Sequence, residues 1–476
     1  MGRNHQMADL IPLALTSSSA PARFRQGGNA RIVNAFAEEI GEQGKVTFAL
    51  YCVDGLEGFA SISGITTGIR AAKEVDGALY AVAGTQLFKI QSNGVVTSLG
   101  SMSISGTATV YVERNRRSTP DIVIVCDGVM YVYRTSLQQV TDPDLLGPLS
   151  CTVVDGIVII GTADNKWQAG EIDDALNWDP LSFERADASP DPVVRVFSRQ
   201  NEALIFGTKT CEFWTNVGGA DATGFARSAV MDLGCLAADS IARLDQTIAW
   251  VAHDRTVRVL KGYAGERIST PAVERDIEAL NDKSTVSATS WTRDGHSYYQ
   301  ISSDTWTWIY DSAYGWSNRK SYGDSKWRIS TVTEAFSKVI CGDRDRPNFY
   351  EMSQSFADEA GDPLVMSVTL PPVTSYPYPI TCNALHIDVE RGVGTGNGEP
   401  QDVDPEIMLY WSKDGGATFA GPRTLKIGQQ GKRMQRVTAR RLGQAREHGF
   451  TFKIECSAKV SRALYGVYAD IEKDAV

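Results

Sequence analysis

The run Ile122-Val123-Ile124-Val125-Cys126-Asp127-Gly128-Val129-Met130-Tyr131-Val132-Tyr133 decides the fold. Two stretches of β-branched and aromatic residues flank Asp-Gly, a strong short-range signal for a tight β-hairpin. Both stretches are apolar throughout rather than alternating, so both faces of the hairpin require cover from other parts of the protein. A sheet of this kind needs a neighbour on each side.

Six more hairpins of the same type recur along the chain. They are Leu79 to Ala83 turning at Gly84 into Leu87 to Ile90, Ile157 to Ile160 turning at Gly161, and Ala203 to Phe206 turning at Gly207 into Glu212 to Trp214. Ile248 to Val251 turns at His253 into Val257 to Leu260, Tyr298 to Ile301 turns at Ser303 into Trp306 to Ile309, and Lys338 to Cys341 turns at Gly342. Successive turns lie 34 to 50 residues apart, 43 on average, the length that a four-stranded propeller blade uses. The alternative is an irregular β-sandwich whose hairpins share this spacing by chance. The fold expected is all-β: a β-propeller of about seven blades, with six as the other count, over residues 68–366.

Residues 1–67 carry weaker strand signals and are expected to form an N-terminal arm with ring-closing strands. Leu370-Pro371-Pro372 and Tyr376-Pro377-Tyr378-Pro379 mark residues 367–380 as a proline-rich linker, since proline fixes φ and donates no ladder bond. Fresh alternation in Leu385 to Val389, Ile407 to Trp411 and Phe450 to Ile454 makes residues 381–476 a C-terminal β-sandwich or barrel-like domain.

The 476 residues hold 47 Lys and Arg against 57 Asp and Glu, a net charge of −10. That balance excludes a protein that coats nucleic acid through a basic exterior. Eight cysteines (52, 126, 151, 211, 235, 341, 382 and 456) form no C-x-x-C pair and read as buried apolar residues in a reducing cytoplasm. The five histidines are dispersed without ligand spacing, so neither a metal nor a cofactor is expected. Gln6 stands where myristoylation needs Ser or Thr, and the apolar patch Leu10 to Leu15 is broken by Pro12. No run approaches the roughly 18 apolar residues of a membrane helix, and a soluble intracellular product is expected.

Ser412-Lys413-Asp414-Gly415-Gly416-Ala417-Thr418-Phe419 fits the Asp-box pattern at Ser412, Asp414, Gly416, Thr418 and Phe419. Its carboxylate bonds the backbone N–H groups of its own turn while glycine permits the bend. Sialidases carry several such boxes on propeller blades. One box outside the expected propeller reads as a structural turn. Asp173, Asp174 and Glu184 near Trp167 and Trp178 combine acids and aromatics as a sugar site does, and as an ordinary blade edge also does. Gly392 to Gly398 lacks the Lys-Ser/Thr of a phosphate cradle and reads as a loop.

The strongest charge asymmetry is Arg423, Lys426, Lys432, Arg433, Arg436, Arg440, Arg441 and Arg446, eight bases with no acid among them. They are candidates for docking an acidic partner subunit or phosphate, against the alternative of a solvated strand face. The rest of the chain carries −18.

A series of short phrases occurs in order along the chain. The first are Asn34-Ala35-Phe36-Ala37-Glu38, Gly55-Leu56, Lys166-Trp167-Gln168, Glu171-Ile172-Asp173, Asn177-Trp178-Asp179-Pro180-Leu181-Ser182-Phe183 and Pro190-Asp191-Pro192. Leu204-Ile205-Phe206-Gly207, Glu212-Phe213-Trp214, Gly234-Cys235-Leu236-Ala237 with Ser240, and Arg267-Ile268-Ser269-Thr270 follow. Gly295 to Tyr299, Tyr310-Asp311, Trp316 to Arg319, the Ser412 box and Arg440 to Arg446 complete the series. In these phrases the chain resembles the packaged-DNA stabilisation, or tail hub (nozzle), proteins of short-tailed phages. It departs from them at Asp54-Gly55, where a Pro-Gly turn is expected.

The resemblance implies a structural, non-enzymatic virion protein forming a ring, a hexamer, below the portal and head-to-tail adaptor. Such a ring extends the DNA channel, retains the packaged genome and anchors a distal needle, spike or fibre. It implies double-stranded DNA passing without sequence-specific binding, and a place in the virion tail after assembly in the host cytoplasm. The family offers no catalytic residues to carry over. The alternative is a propeller-based glycosidase or carbohydrate-binding tail protein, which calls for repeated Asp boxes within the blades and an arginine cluster at the ring axis.

Overall fold

The computed structural model describes residues 10–189, 191–218 and 223–474. The N-terminal Met1 to Gln6 reading and Pro190 of the Pro-Asp-Pro phrase lie outside them. The chain divides into two compact units, residues 58–304 with 328–352, and residues 1–57 with 305–327 and 353–476.

The first unit is a β-propeller. Its hairpins become the middle strands of successive sheets because they are apolar on both sides. In Ile122–Cys126 every residue is buried. Ile122, Ile124 and Cys126 pack with Val75, Tyr80 and Val82 of the preceding sheet, while Val123 and Val125 pack with Cys151, Val158 and Ile160 of the following one. Alternation along the strand thus serves two neighbours rather than core and solvent. Each large aliphatic or aromatic side chain buried this way contributes roughly 1.5–3 kcal/mol.

Five sheets are complete four-stranded meanders: blade 1 (residues 69–101), blade 2 (111–139), blade 3 (148–185), blade 4 (193–231) and blade 5 (242–267). Blade 6 contributes the hairpin Ser287–Arg293 with His296–Ser302. Blade 7 runs Ile329–Ala335, Lys338–Asp343 and Asn348–Ser353, and its fourth strand is Gly55–Ser61, from early in the chain. At this closure Ser61 Oγ donates to Asn348 Oδ1 at 2.8 Å, and the Ile62 amide donates to the Pro347 carbonyl at 2.8 Å.

The first strand of each blade faces the axis, and consecutive first strands touch from blade 1 to blade 4 and from blade 5 through blade 7 to blade 1. Arg195 Nη1, donating to the Ala238 carbonyl at 2.8 Å, and Arg243 Nη2, donating to Ser198 Oγ at 3.2 Å, join blades 4 and 5. In blades 1, 3, 4 and 7 the register slips at the second residue of this strand, at Arg70, Leu149, Val194 and Ser330. This shared bulge marks the blades as one repeated unit.

Three glycines expected in turns, Gly161, Gly207 and Gly342, are strand residues instead. Gly161 pairs with Trp167 and Gly342 with Phe349, and the chain turns after Thr162 and Asp343. The role of Gly161 and Gly342 is clearance between blades. A Cβ on Gly161 would sit 3.0 Å from Val196 Cγ1, and one on Gly342 would sit 2.9 Å from Ile69 Cβ.

The second unit is a β-sandwich. One sheet runs Ala35–Glu39, Phe48–Cys52, Ala463–Lys473, Ile380–Val389 and Thr438–Ala445, with Ile11–Leu13 also on Ala463–Lys473. Within this unit the facing sheet runs from Thr307–Asp311 and Gly315–Asn318 through Arg31–Val33, Met366–Thr369, Thr451–Cys456 and Glu406–Ser412 to Ala420–Lys426. Ile32, Leu50, Val368, Leu385, Leu409, Phe452 and Val467 fill the space between them. The early segment therefore contains sandwich strands as well as the ring-closing strand. The proline-rich stretch begins as a strand, because Met366, Val368 and Leu370 point into that core.

Seven of the eight cysteines are buried and all are free. Burial pushes the thiols of Cys235 and Cys382 up to about 12 and that of Cys52 up to about 11, so they remain protonated and unreactive near neutrality.

Gly342→Val is expected to force Ile69 and Thr331 apart and to lower stability by about 1–3 kcal/mol. Gly106→Ala, whose Cβ meets nothing within 4 Å, should leave the thermal midpoint in place. Equal midpoints for the two variants in thermal unfolding would contradict the clearance role.

Candidate functional site

The propeller axis holds a cavity of about 490 Å³ lined by Arg70, Glu113, Arg195, Asp239, Thr289, Thr331 and Arg344. This is the size of a small-molecule pocket. It cannot admit a duplex, whose major groove alone is about 12 Å wide.

A polar bolt crosses the ring. Asp239, at the entry to blade 5, accepts from Tyr111 of blade 2 at 2.9 Å through Oδ1 and from Thr109 Oγ1 at 2.5 Å through Oδ2. The Arg195 guanidinium of blade 4 lies 4.6 Å from the Tyr111 ring centroid. Burial, and then the Asp239 charge, hold the Tyr111 hydroxyl well above the usual phenol range, so it stays a neutral donor.

An arginine cluster at the axis is the mark named for a sugar-acid enzyme, and three arginines are present. Two have backbone partners. Arg70 donates to the carbonyls of Gly84 and Ala108, and Arg195 donates to those of Ala238 and Ile241. Elsewhere in the propeller, Trp167 and Trp178 are buried, so neither offers a stacking face. Asp174 pairs with Arg134 at 3.2 Å, and Asp173 Oδ1 accepts from the Arg116 amide at 3.0 Å. Asp173 and Asp174 are thus structural ties.

The eight basic residues occupy the sandwich. Arg423 and Lys426 lie on Ala420–Lys426, Arg440 and Arg441 on Thr438–Ala445, and each strand ends its sheet. Lys432, Arg433 and Arg436 lie on the connecting loop, and Arg446 follows the second strand. Lys426 pairs with Asp404 at 2.6 Å, and Arg423 lies 5.3 Å over the Trp411 ring and donates to the Arg440 carbonyl. Among the described residues no carboxylate pairs with the other six. Their field reaches His386, whose pKa is lowered by burial first and then by Arg440, with Arg436 adding to the shift.

The Asp-box turn joins Glu406–Ser412 to Ala420–Lys426. Asp414 Oδ1 accepts from Ser412 Oγ at 2.6 Å and from the Ala417 and Thr418 amides at 3.0 Å each, and Ser412 Oγ accepts from the Gly416 amide at 2.8 Å. These bonds, led by those from Ser412 and Thr418, hold the Asp414 carboxyl well below the usual range. Phe419 lies beneath Lys453, 5.5 Å from its ammonium.

The family model described as bacteriophage P22 Gp10, beta-propeller, matches residues 30–357. The chain belongs to this family. A second model, bacteriophage P22 Gp10, beta-sandwich, matches residues 378–472. The protein is a phage structural protein of the packaged-DNA stabilisation type, built from a propeller and a sandwich. No curated protein matches the chain. Similar solved structures include the WD40 domain of Neurospora crassa Pan2, with 8% identity over 63% of this chain and 95% of that one, and a TM-score of 0.42. BamB from Moraxella catarrhalis has 11% identity over 68% and 97%, with a TM-score of 0.39. The designed protein Ika8 has 12% identity over 62% and 100%, with a TM-score of 0.39.

Asp414→Ala is expected to lower the thermal midpoint by about 2–4 °C, the shift of a lost turn in a unit of this size. The folded carboxyl titrates below its unfolded value of about 3.9. Its contribution is therefore complete above that pH and fades as the pH falls through the folded value. Wild type and variant should differ at pH 7 and converge in strong acid; a gap that widened toward acid would contradict the assignment.

Proposed function

We propose that the protein forms the tail hub, or nozzle, ring beneath the portal and head-to-tail adaptor, where it extends the DNA channel and anchors distal tail parts. The observation that carries this reading is the pair of family matches across residues 30–357 and 378–472. The bolted propeller axis fits this reading in one respect: it leaves a duplex no way through a blade ring, so the channel proposed here runs between copies. Charge supports it in another, because a strongly acidic remainder repels a passing duplex.

Mass measurement with adaptor and portal should give a ring of about six copies, the closed symmetry such an assembly takes; a strict monomer would overturn the ring. Reversing Arg433, Arg436, Arg440 and Arg441 to Glu should reduce particle incorporation at least tenfold with an unchanged unfolding curve, and normal incorporation would remove the docking role.

The arginine cluster favours a second reading, a carbohydrate-binding tail protein with an axial site for an acidic sugar. Calorimetric titration with sialic acid distinguishes it. Saturable binding that is lost in Arg70→Gln would support the second reading, and no heat at millimolar sugar would reject it.

A further inference from the structure

The ring reading leaves open which surfaces of neighbouring copies meet, and charge and exposed apolar groups single out two. The first is the loop between the two edge strands of the sandwich. Met434 stands 91% exposed at this loop, beside Lys432, Arg433 and Arg436. An isolated thioether in water has no local partner, yet the loop is held in place. The Gly431 amide donates to the Gly392 carbonyl at 3.1 Å, the Lys432 amide to Gln429 at 2.9 Å, and Arg391 Nη1 to the Gln435 carbonyl at 3.3 Å. Such a loop presents its side chains with little ordering cost on binding.

The second surface belongs to the propeller. Residues 121–191 hold 13 acids and three bases, and all of those acids but Asp121 and Asp191 reach the surface at least in part. Within it the outer part of blade 3 exposes two aliphatic side chains, Ile172 at 68% and Leu181 at 70%, next to Glu171 and Asp179. Asp179 Oδ1 caps the Leu181 amide at 2.8 Å, which fixes the Leu181 backbone. The outer edge of blade 3, with Glu171 and Asp179 exposed beside aliphatic groups, complements the basic loop that carries the methionine.

We infer that the Met434 loop of one copy docks on the outer edge of blade 3, where Ile172 and Leu181 are exposed, in the next copy. This rests on the ring reading and deepens it. The two patches differ, so the contact is heterologous, and heterologous contacts propagate head to tail until a ring closes. Rim charges set register and encounter rate, and the buried thioether and aliphatic groups add affinity.

The test measures assembly of the full-length protein by mass photometry and particle incorporation, for three variants. Lys432→Glu/Arg433→Glu/Arg436→Glu and, separately, Glu171→Lys/Asp179→Lys should each weaken ring formation at least tenfold. Mixing the two should restore mixed rings, because each supplies the charge that the other lacks. Met434→Ser, which leaves every charge in place, should weaken assembly without changing its salt dependence.

Rings in which all three variants assemble as wild type overturn the contact and leave the ring standing. Loss in the loop variant alone, with the blade 3 variant normal, overturns it by showing that the loop docks on a surface other than blade 3. A wild type that never assembles, with or without adaptor and portal, removes the ring reading and this contact together.

Discussion

No sheet of the propeller can leave either face to water, and this constraint orders the rest. Blade 2 is covered by blade 1 on one side and blade 3 on the other, blade 4 packs on blade 5, and blade 7 closes on blade 1. The strand Gly55–Ser61 must return to complete blade 7, and Gly161 and Gly342 must lack a side chain. Local packing and ring closure are one requirement seen at two scales.

The second strands of blades 1 to 4 were legible because their burial is total. Val123 and Val125, or Leu204 and Phe206, are apolar whichever way they point, so the hairpins stand out without knowledge of their neighbours. The axial strands were not. Ile69–Val75 reads Ile-Arg-Ala-Ala-Lys-Glu-Val and is only partly buried over its five central residues, since it borders a solvated cavity. The glycines at 161 and 342 look like turn residues because sequence shows a break in side-chain bulk and not what fills the gap.

The candidate sites divide in the same way. Asp414 was readable because its partners lie within four residues. The Asp239 bolt was not, because Tyr111 lies 128 residues away, and nothing local distinguishes Asp239 from other acids. The basic run was visible as composition, while its placement on two edge strands and a tied loop needed the fold. Trp167 and Trp178 show the converse: an aromatic beside acids suggests a ligand until its burial is known.

The sandwich sheet places Ala463–Lys473 between Phe48–Cys52 and Ile380–Val389, with Ile11–Leu13 also resting on it. A central strand drawn from late in the sequence means that Ile11–Leu13, which pairs with it, waits while more than 400 residues are synthesised. A chain released before residue 463 holds the hairpin of Ala35–Glu39 with Phe48–Cys52 and the pair of Ile380–Val389 with Thr438–Ala445, but not the strand that joins them. The fold thus makes completion of this sheet wait on completion of the chain, so that a truncated copy carries two open half-sheets in place of one.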